Sequence, residues 1–552
     1  MTSLLLALLL VAGFAHAARP SAQDSLYEQI RHNVGLFGDV YREISLRYVD
    51  QVDIEEFMRA GIEGMLSTLD PYTVFIPEDE TEDLDLITSG RYGGVGIEIG
   101  VRGKDKVLTV ISPMDDSPAQ RVGIRTGDRI IMIDSMSTQG FTTNDAAKYL
   151  RGAPGTQVKV IVERAGLSEP IEFVITRRDI ELKDVPYYGF VKPGVGYIKL
   201  AHFSRRAPLE LDEALTELKG DGVQSLILDL RGNPGGLLSS AVAVTQRFCD
   251  RGETVLSVRG RDAENSQVFT LPDAPLAGGI PLTVLVDGGS ASASEIVAGA
   301  IQDLDRGVVI GDPTFGKGLV QSVVSFESGE ALKLTTAKYY TPSGRLIQRV
   351  DYFHDQDHVI IGGTGEIPDR FTTRNGRPVE GGGGIAPDIE VPAPQPGPLG
   401  VELWRQGSFF DFINDYRSRH PHLTSEKIGD PALTEFRTWL DSAGFHYDVD
   451  GWAELDTLRH MIEQAGMADS LAANLADIER VLEQRREQAF LSETDFIRSS
   501  LERELAANLF GTRGRIEASF NDDPVITRAL EVLADTNQYQ KVLTVTAAPK
   551  AN

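Results

Sequence analysis

The chain has 552 residues, 41% of them hydrophobic, with 54 basic against 81 acidic residues and a formal net charge of −27. That length supports three or four domains with real cores. The charge excludes a nucleic-acid binder built on a basic stripe, because phosphate contacts need clustered Lys and Arg, and the single cysteine, Cys249, excludes an intrachain disulfide.

In chain order, residues 4–14 read LLLALLLVAGF and lead into Ala15-His16-Ala17. An apolar run before small residues is the pattern of a secretory signal over residues 1–17, although Met1-Thr2-Ser3 carries no Lys or Arg. The run is too short to span a bilayer, which takes about 20 residues. Residues 18–83 read as an N-terminal helical segment. Leu26, Ile30 and Val34, then Tyr41, Ile44 and Leu46, then Phe57, Ile62 and Leu66 recur at helical spacing. Pro71 ends it, since the residue before a proline avoids the α conformation.

Residues 84–178 contain several short strands and one or two helices. They open on the glycine-rich turn Tyr92-Gly93-Gly94-Val95-Gly96-Ile97, and a helix over 142–150 ends at Arg151. Residues 179–391 begin with the alternating strand GVGYIKLAHFS and an amphipathic helix over 208–218. The buried strand SLILDL then runs into Arg231-Gly232-Asn233-Pro234-Gly235-Gly236-Leu237. Strands at 254–258, 282–286 and 307–310 alternate with helical stretches, which predicts α/β layering around a β core. Phe248-Cys249 closes an apolar helical pattern, so Cys249 reads as a small core residue. Residues 392–400, PAPQPGPLG, form a Pro/Gly linker. Beyond it, 401–552 is a helical extension, with Leu471, Leu475, Ile478 and Leu482, then Ile497, Leu501, Leu505 and Leu509 at helical spacing. It reads as an oligomerisation or scaffolding unit, with substrate recruitment or autoinhibition as alternatives.

The chemistry concentrates between 282 and 321. The apolar strand Leu282 to Val286 is closed by Asp287-Gly288-Gly289, and Ser290, Ser292 and Ser294 follow at the start of a helix. Free N–H groups and the positive end of the helix dipole converge there, which suits an oxyanion. Lys317, between Gly316 and Gly318, has no acidic residue nearer in sequence than Asp312. A buried lysine loses solvation of its charged form and becomes a base near neutral pH. A Ser/Lys pair therefore needs no histidine. Several competing readings are weaker, among them Lys317 as a solvated loop residue between glycines. Alternating Ser/Ala is common N-cap material. Gly311 with Gly316-Lys317 nearly spells a phosphate loop, but Gly318 stands where a magnesium-binding Ser or Thr belongs, and a strand pattern follows instead of a helix. His354 and His358, among Asp351, Asp355 and Asp357, could suggest a metal site, but the segment reads as an exposed insertion. His202, beside Phe203 on a core-type strand, offers a Ser/His alternative that the local pattern favours less than Lys317.

The phrases GSASASEI at 289–296 and FGKGLVQ at 315–321 resemble the C-terminal processing peptidases, serine proteases with a Ser/Lys dyad and an embedded PDZ domain. The serine and lysine lie 25 residues apart, as the resemblance requires. Asp70-Pro71-Tyr72-Thr73, Ser117-Pro118-Ala119, Gly123-Ile124, Gly127-Asp128, Tyr340-Thr341-Pro342-Ser343-Gly344 and Gly384-Ile385-Ala386-Pro387-Asp388 extend it over about 360 residues. The resemblance implies an α/β multidomain chain. Its parts are an N-terminal helical segment and a PDZ domain at 84–178 inserted before a mixed α/β peptidase core at 179–391; the all-α extension lies beyond residue 391, where the resemblance stops. It implies Ser292 as nucleophile, Lys317 as general base and Gln321 as its orienting partner, with the N–H groups of Gly236 and Ala293 as oxyanion donors. Between Gly235 and Gly236 the motif alone does not choose. Gly94, Val95, Gly96 and Ile97 would hold a peptide's C-terminal carboxylate, with Arg151 pairing to it.

No cofactor and no metal are implied, and no nucleic acid. The expected partners are proteins or peptides with a free C-terminus, a second copy of the chain through its N-terminal or C-terminal helices, and a regulator of unknown identity. The last residues, from Val542, are either disordered or the chain's own ligand for the PDZ groove. The expected location is the bacterial cell envelope or periplasm, at the membrane if the signal is uncleaved. The alternative function is a PDZ adaptor whose peptidase core is silent or conditionally activated.

Overall fold

The computed structural model describes residues 22–103, 105–261, 266–350, 352, 370–445, 447, 449 and 451–544. The signal-like residues 1–17, the His354/His358 segment and the final eight residues lie outside them. The chain divides into two compact units, 1–75 and 76–552. The first holds α1 (Ala22–Arg47) and α2 (Ile54–Leu66). Asp53 caps α2 by accepting from the Glu55 and Glu56 amides, and Tyr41 stacks on Phe57 at 5.6 Å. The buried Asp70 carboxylate accepts from the Tyr72 and Thr73 amides and the Thr73 hydroxyl, closing the turn that ends the segment.

The second unit opens with the helix Thr81–Ser89, after which comes the expected PDZ domain. Strand β1 (Arg91–Gly94) precedes the five strands β2 (Ile97–Arg102), β3 (Val107–Pro113), β4 (Arg129–Ile133), β5 (Gln157–Glu163) and β6 (Ile171–Thr176). These five form one antiparallel sheet in that order, so β2 is an edge strand. Helix α3 (Thr143–Leu150) packs over it, with Thr142 and Asp145 forming a reciprocal capping box. Strand β7 (Arg178–Glu181) returns the chain to β1.

The expected peptidase core, residues 179–391, is built on a six-stranded sheet, β8-β9-β10-β13-β14-β17, formed by Tyr187–Lys192, Val195–Lys199, Ser225–Asp229, Leu282–Val286, Val308–Gly311 and Ile389–Glu390. Only the β8–β9 pair is antiparallel. Its centre is apolar on both faces, as a covered parallel sheet must be. Leu226, Leu228, Val284, Val286 and Val309 face one core with the helices α4 (Ala207–Gly220), α5 (Leu238–Gln246) and α6 (Ala293–Asp303). Cys249 is buried in the same core, and burial pushes its thiol up to about 12. The expected strand at 254–258 exists as β11 (Thr254–Gly260), but not in this layer. It joins β12 (Gln267–Thr270), β15 (Leu319–Ser325) and β16 (Ala331–Tyr340) in an antiparallel sheet.

The helical extension splits in two. Helices α7 (Pro398–Arg405), α8 (Ser408–Arg419), α9 (Asp430–Ser442) and α12 (Thr494–Ser519) enclose their own core around Phe412, Phe436 and Leu501. Helices α10 (Trp452–Gln464) and α11 (Ala468–Ser492) pair beside it. Helix α7 starts inside the expected linker. The last two helices, α13 (Pro524–Ala534) and α14 (Thr536–Val542), are not part of a separate unit. Their Val525, Ile526, Ala529 and Tyr539 cover Ile227, Leu285, Val308 and Ile310, the second face of the catalytic sheet. The end of the extension is thus a structural layer of that core.

Candidate active site

Strand β13 ends at Val286, and the turn Asp287-Gly288-Gly289 carries the chain over the sheet to α6. Of the three serines in the turn, two are fixed by hydrogen bonds to main chain. Ser290 donates its hydroxyl to the Leu230 carbonyl at 2.9 Å, and Ser294 donates to the Asn233 carbonyl at 2.9 Å; both are fully buried. Ser292 is half-buried and holds φ 54°, ψ −110°. A non-glycine residue at positive φ is strained, and such strain is retained where a side chain must be presented at a sharp strand-to-helix turn.

The chain around Lys317 reaches the same place from β14. Its approach is fixed by two buried side chains that sequence reasoning did not single out. The Glu295 carboxylate, one turn into α6, accepts four hydrogen bonds. One oxygen takes the Thr314 hydroxyl at 2.6 Å and the Gly316 amide at 2.7 Å; the other takes the Ser292 amide at 2.8 Å and the Lys317 amide at 2.9 Å. Burial pushes its carboxyl up to about 7, against the pull of those donors. Tyr339, on β16, donates its hydroxyl to the Ser292 carbonyl at 3.1 Å and to the Lys317 carbonyl at 2.8 Å. Burial holds that hydroxyl well above its usual range, so it stays a donor. Ser292 and Lys317 are therefore stapled together through both their N–H and their C=O groups. The signal for Glu295 was present as Ser292-x-x-Glu295, which is capping-box spacing; nothing in the sequence marked Tyr339.

Lys317 is half-buried. Gln321 lies on β15, at a register shift against β16, and its amide donates to the Thr335 hydroxyl at 3.4 Å. His202 is solvent-exposed beside Phe203, whose backbone bridges to Gly236.

The loop after β10 lies against the serine turn. Asn233 is fully buried and orders it: its side-chain amide donates to the Leu200 carbonyl, and its own carbonyl accepts from the Ala291 amide. Gly235 has φ 102°, and a Cβ there would come 2.9 Å from the Ala293 nitrogen and 3.0 Å from the Ser292 Cβ. No side chain fits in that space. Gly235 spends its N–H on the Asn233 side chain at 2.9 Å. The N–H groups of Gly236 and Ala293 have no acceptor among the described residues. Of the two glycines the motif left open, Gly236 is the one with a donor to offer. Behind the loop, Arg231 pairs with Asp229 and, at 2.7 Å, with Asp523, the residue that caps α13. Although burial works against it, Arg231 and Lys199 hold the Asp229 carboxyl well below the usual range.

In the PDZ domain, Gly94 ends β1, Val95 is buried in the domain core, and Ile97 starts β2. Gly96 has φ 74°, and a Cβ there would sit 2.4 Å from the Ser117 Cβ. Arg151 caps the C-terminus of α3, with its guanidinium 5.6 Å from the Tyr92 ring centre. The four loop residues and Arg151 thus gather at one end of the groove between β2 and α3.

Comparison with known proteins agrees with this layout. Residues 194–355 match Peptidase family S41, 109–164 match the PDZ domain, 14–81 match the Activating protease CtpB N-terminal domain, and 399–533 match the Probable PDZ-protease, C-terminal helical domain. The chain is 37% identical over 340 residues to a carboxy-terminal-processing protease of Bartonella bacilliformis, covering 61% of this chain and 76% of that one. It is 38% identical over 300 residues to a carboxyl-terminal-processing protease of Synechocystis, covering 54% and 70%. With the carboxy-terminal processing protease CtpB of Bacillus subtilis it shares 35% over 312 residues, covering 56% and 64%.

Proposed function

The chain belongs to the carboxy-terminal processing proteases of peptidase family S41 and is a serine-type peptidase with a PDZ domain; from that premise we propose an endopeptidase that captures substrate C-terminal tails in its PDZ groove and cleaves with a Ser292/Lys317 dyad. The observation that carries the dyad is the double staple of Ser292 and Lys317 by Glu295 and Tyr339. In the proposed reaction, neutral Lys317, oriented by Gln321, accepts the Ser292 hydroxyl proton as Ser292 Oγ bonds to the peptide carbonyl carbon. The N–H groups of Gly236 and Ala293 hold the resulting oxyanion. Lys317 passes its proton to the leaving amine as the C–N bond breaks. Water, deprotonated by Lys317, then releases the acyl group and regenerates Ser292. The substrate class is unstructured protein ends with a free carboxylate, which the loop Gly94 to Ile97 and Arg151 would hold.

The signal-like N-terminus supports export to a bacterial envelope compartment, with sequencing of the mature N-terminus as its check. No described helix is long and apolar enough to cross a membrane. The catalytic proposal is tested by cleavage of an unstructured protein by wild type, Ser292→Ala and Lys317→Ala. Each substitution is expected to lower the rate by several orders of magnitude, as removing a catalytic group does. Equal cleavage by all three overturns the dyad.

A further inference from the structure

The end of the PDZ groove opens onto a second cleft. Strand β2 is the edge of its sheet, and the carboxylate loop lies at its start. A peptide with its C-terminus at that loop and its chain along β2 must run antiparallel to it. At about 3.3 Å per residue, the fifth or sixth residue from the end draws level with Arg102. There the helical extension takes over the surface. The Arg102 guanidinium lies 5.0 Å from the Phe410 ring centre, and a Cβ on Gly407 would come 3.0 Å from Arg102 Nη1. Between the two domains is a cleft of about 610 Å³, lined among others by Val101, Arg102, Asp411, Trp439, Ala443 and Phe445.

Two features of this cleft suit a peptide. Trp439 and Phe445 are half-buried, anchored on the helical core while still lining the space. The half-buried Asp411 carboxylate accepts no hydrogen bond among the described residues. It is an acceptor available to a main-chain N–H.

We propose that this cleft is an upstream peptide subsite of the protease: it takes the fifth and sixth residues from the substrate's C-terminus, favouring an aromatic or large aliphatic side chain against Trp439 and Phe445. It rests on the proposed capture of tails by the PDZ domain. Recognition is then shared between two domains, with the carboxylate read at one end of β2 and an apolar residue at the other.

The test uses the full chain carrying Ser292→Ala, so that ligands survive. Fluorescent peptides of four and eight residues are titrated, the longer with either Trp or Ser at the sixth position from the end. The Trp octapeptide is expected to bind at least about fivefold tighter than the tetrapeptide and the Ser octapeptide, a modest hydrophobic gain. That gain should vanish with Trp439→Ala. It should vanish equally with Ala443→Glu, which puts a charge into the cleft from an exposed position and leaves the helical core intact. A gain that survives Ala443→Glu, or no gain with length, overturns the subsite. Free and amidated tetrapeptides separate the two layers of the claim. A preference for the free form with no length effect removes the subsite and leaves tail capture standing. Equal binding of the two forms removes tail capture, and the subsite with it.

Discussion

Tyr339→Phe removes one oxygen from the buried junction between Ser292 and Lys317 and leaves the ring in place. The Ser292 carbonyl keeps its helical bond from the Ile296 amide. The Lys317 carbonyl loses the hydrogen bond it receives from Tyr339 at 2.8 Å. A buried polar group without its partner costs about 1–3 kcal/mol, which for a domain of this size lowers Tm by roughly 2–12 °C. The kinetic effect should be larger than that stability loss suggests. With one of the two staples gone, the Lys317 segment can drift from Ser292, and misplacement by about 1 Å costs up to about 100-fold in rate. We expect kcat to fall roughly 10- to 100-fold with KM changed less than about threefold, because the PDZ groove is untouched. The assays are urea denaturation and steady-state cleavage of an unstructured protein, well below the melting temperature. A variant that loses stability but keeps wild-type kcat would show that Tyr339 is packing and not a positioning residue.

Glu295→Gln sets an NH2 group against a ring of donors, which costs on the order of 1–3 kcal/mol of stability, and should lower kcat/KM by at least about tenfold as the Lys317 segment it holds shifts from Ser292. It also carries a pH signature. The folded carboxyl is raised from 4.5 to about 7, so its stability contribution is full below the unfolded value and is lost as pH rises through the folded one. Between pH 4.5 and 8 the wild type should lose about 3 kcal/mol relative to Glu295→Gln; denaturation curves with a pH-independent gap contradict this. Asp523→Asn keeps the cap of α13 but turns an NH2 toward Arg231, and should destabilise the core by about 1–2 kcal/mol. Deleting residues 524–552 should leave the core insoluble, because it uncovers one face of the parallel sheet. A soluble, active truncation would mean that α13 and α14 are dispensable.

Much of the site was legible because motifs encode it locally. The serine turn, the Gly-flanked lysine and the glycine loop of the PDZ domain are each short, and each needs its particular residues for a backbone reason, such as the space at Gly96 or Gly235. Glu295 was half-legible. Its capping of Ser292 follows from helix spacing, but its bonds to Thr314, Gly316 and Lys317 depend on how β14 returns to α6. Tyr339 was not legible, since an aromatic at a strand end has the same pattern whether its hydroxyl meets water or two carbonyls. The same holds for α13 and α14: an amphipathic period says that a face is buried, not against what. Here the partner is the alternation Ile227, Leu285 and Ile310, which points away from the main core. The sheet that takes β11 was not legible for a related reason. Residues 254–260 read as buried strand in either sheet, and only pairing with β12 and β16 decides.

The proposed chemistry rests on a single hydroxyl, and covalent labelling reads it directly. A fluorophosphonate probe with mass-spectrometric mapping should modify wild type at Ser292 and leave Ser290 and Ser294 untouched, because their hydroxyls are buried and given to backbone carbonyls. Lys317→Ala should slow that labelling by orders of magnitude. Labelling at another serine, or at Ser292 with undiminished rate in Lys317→Ala, contradicts the dyad.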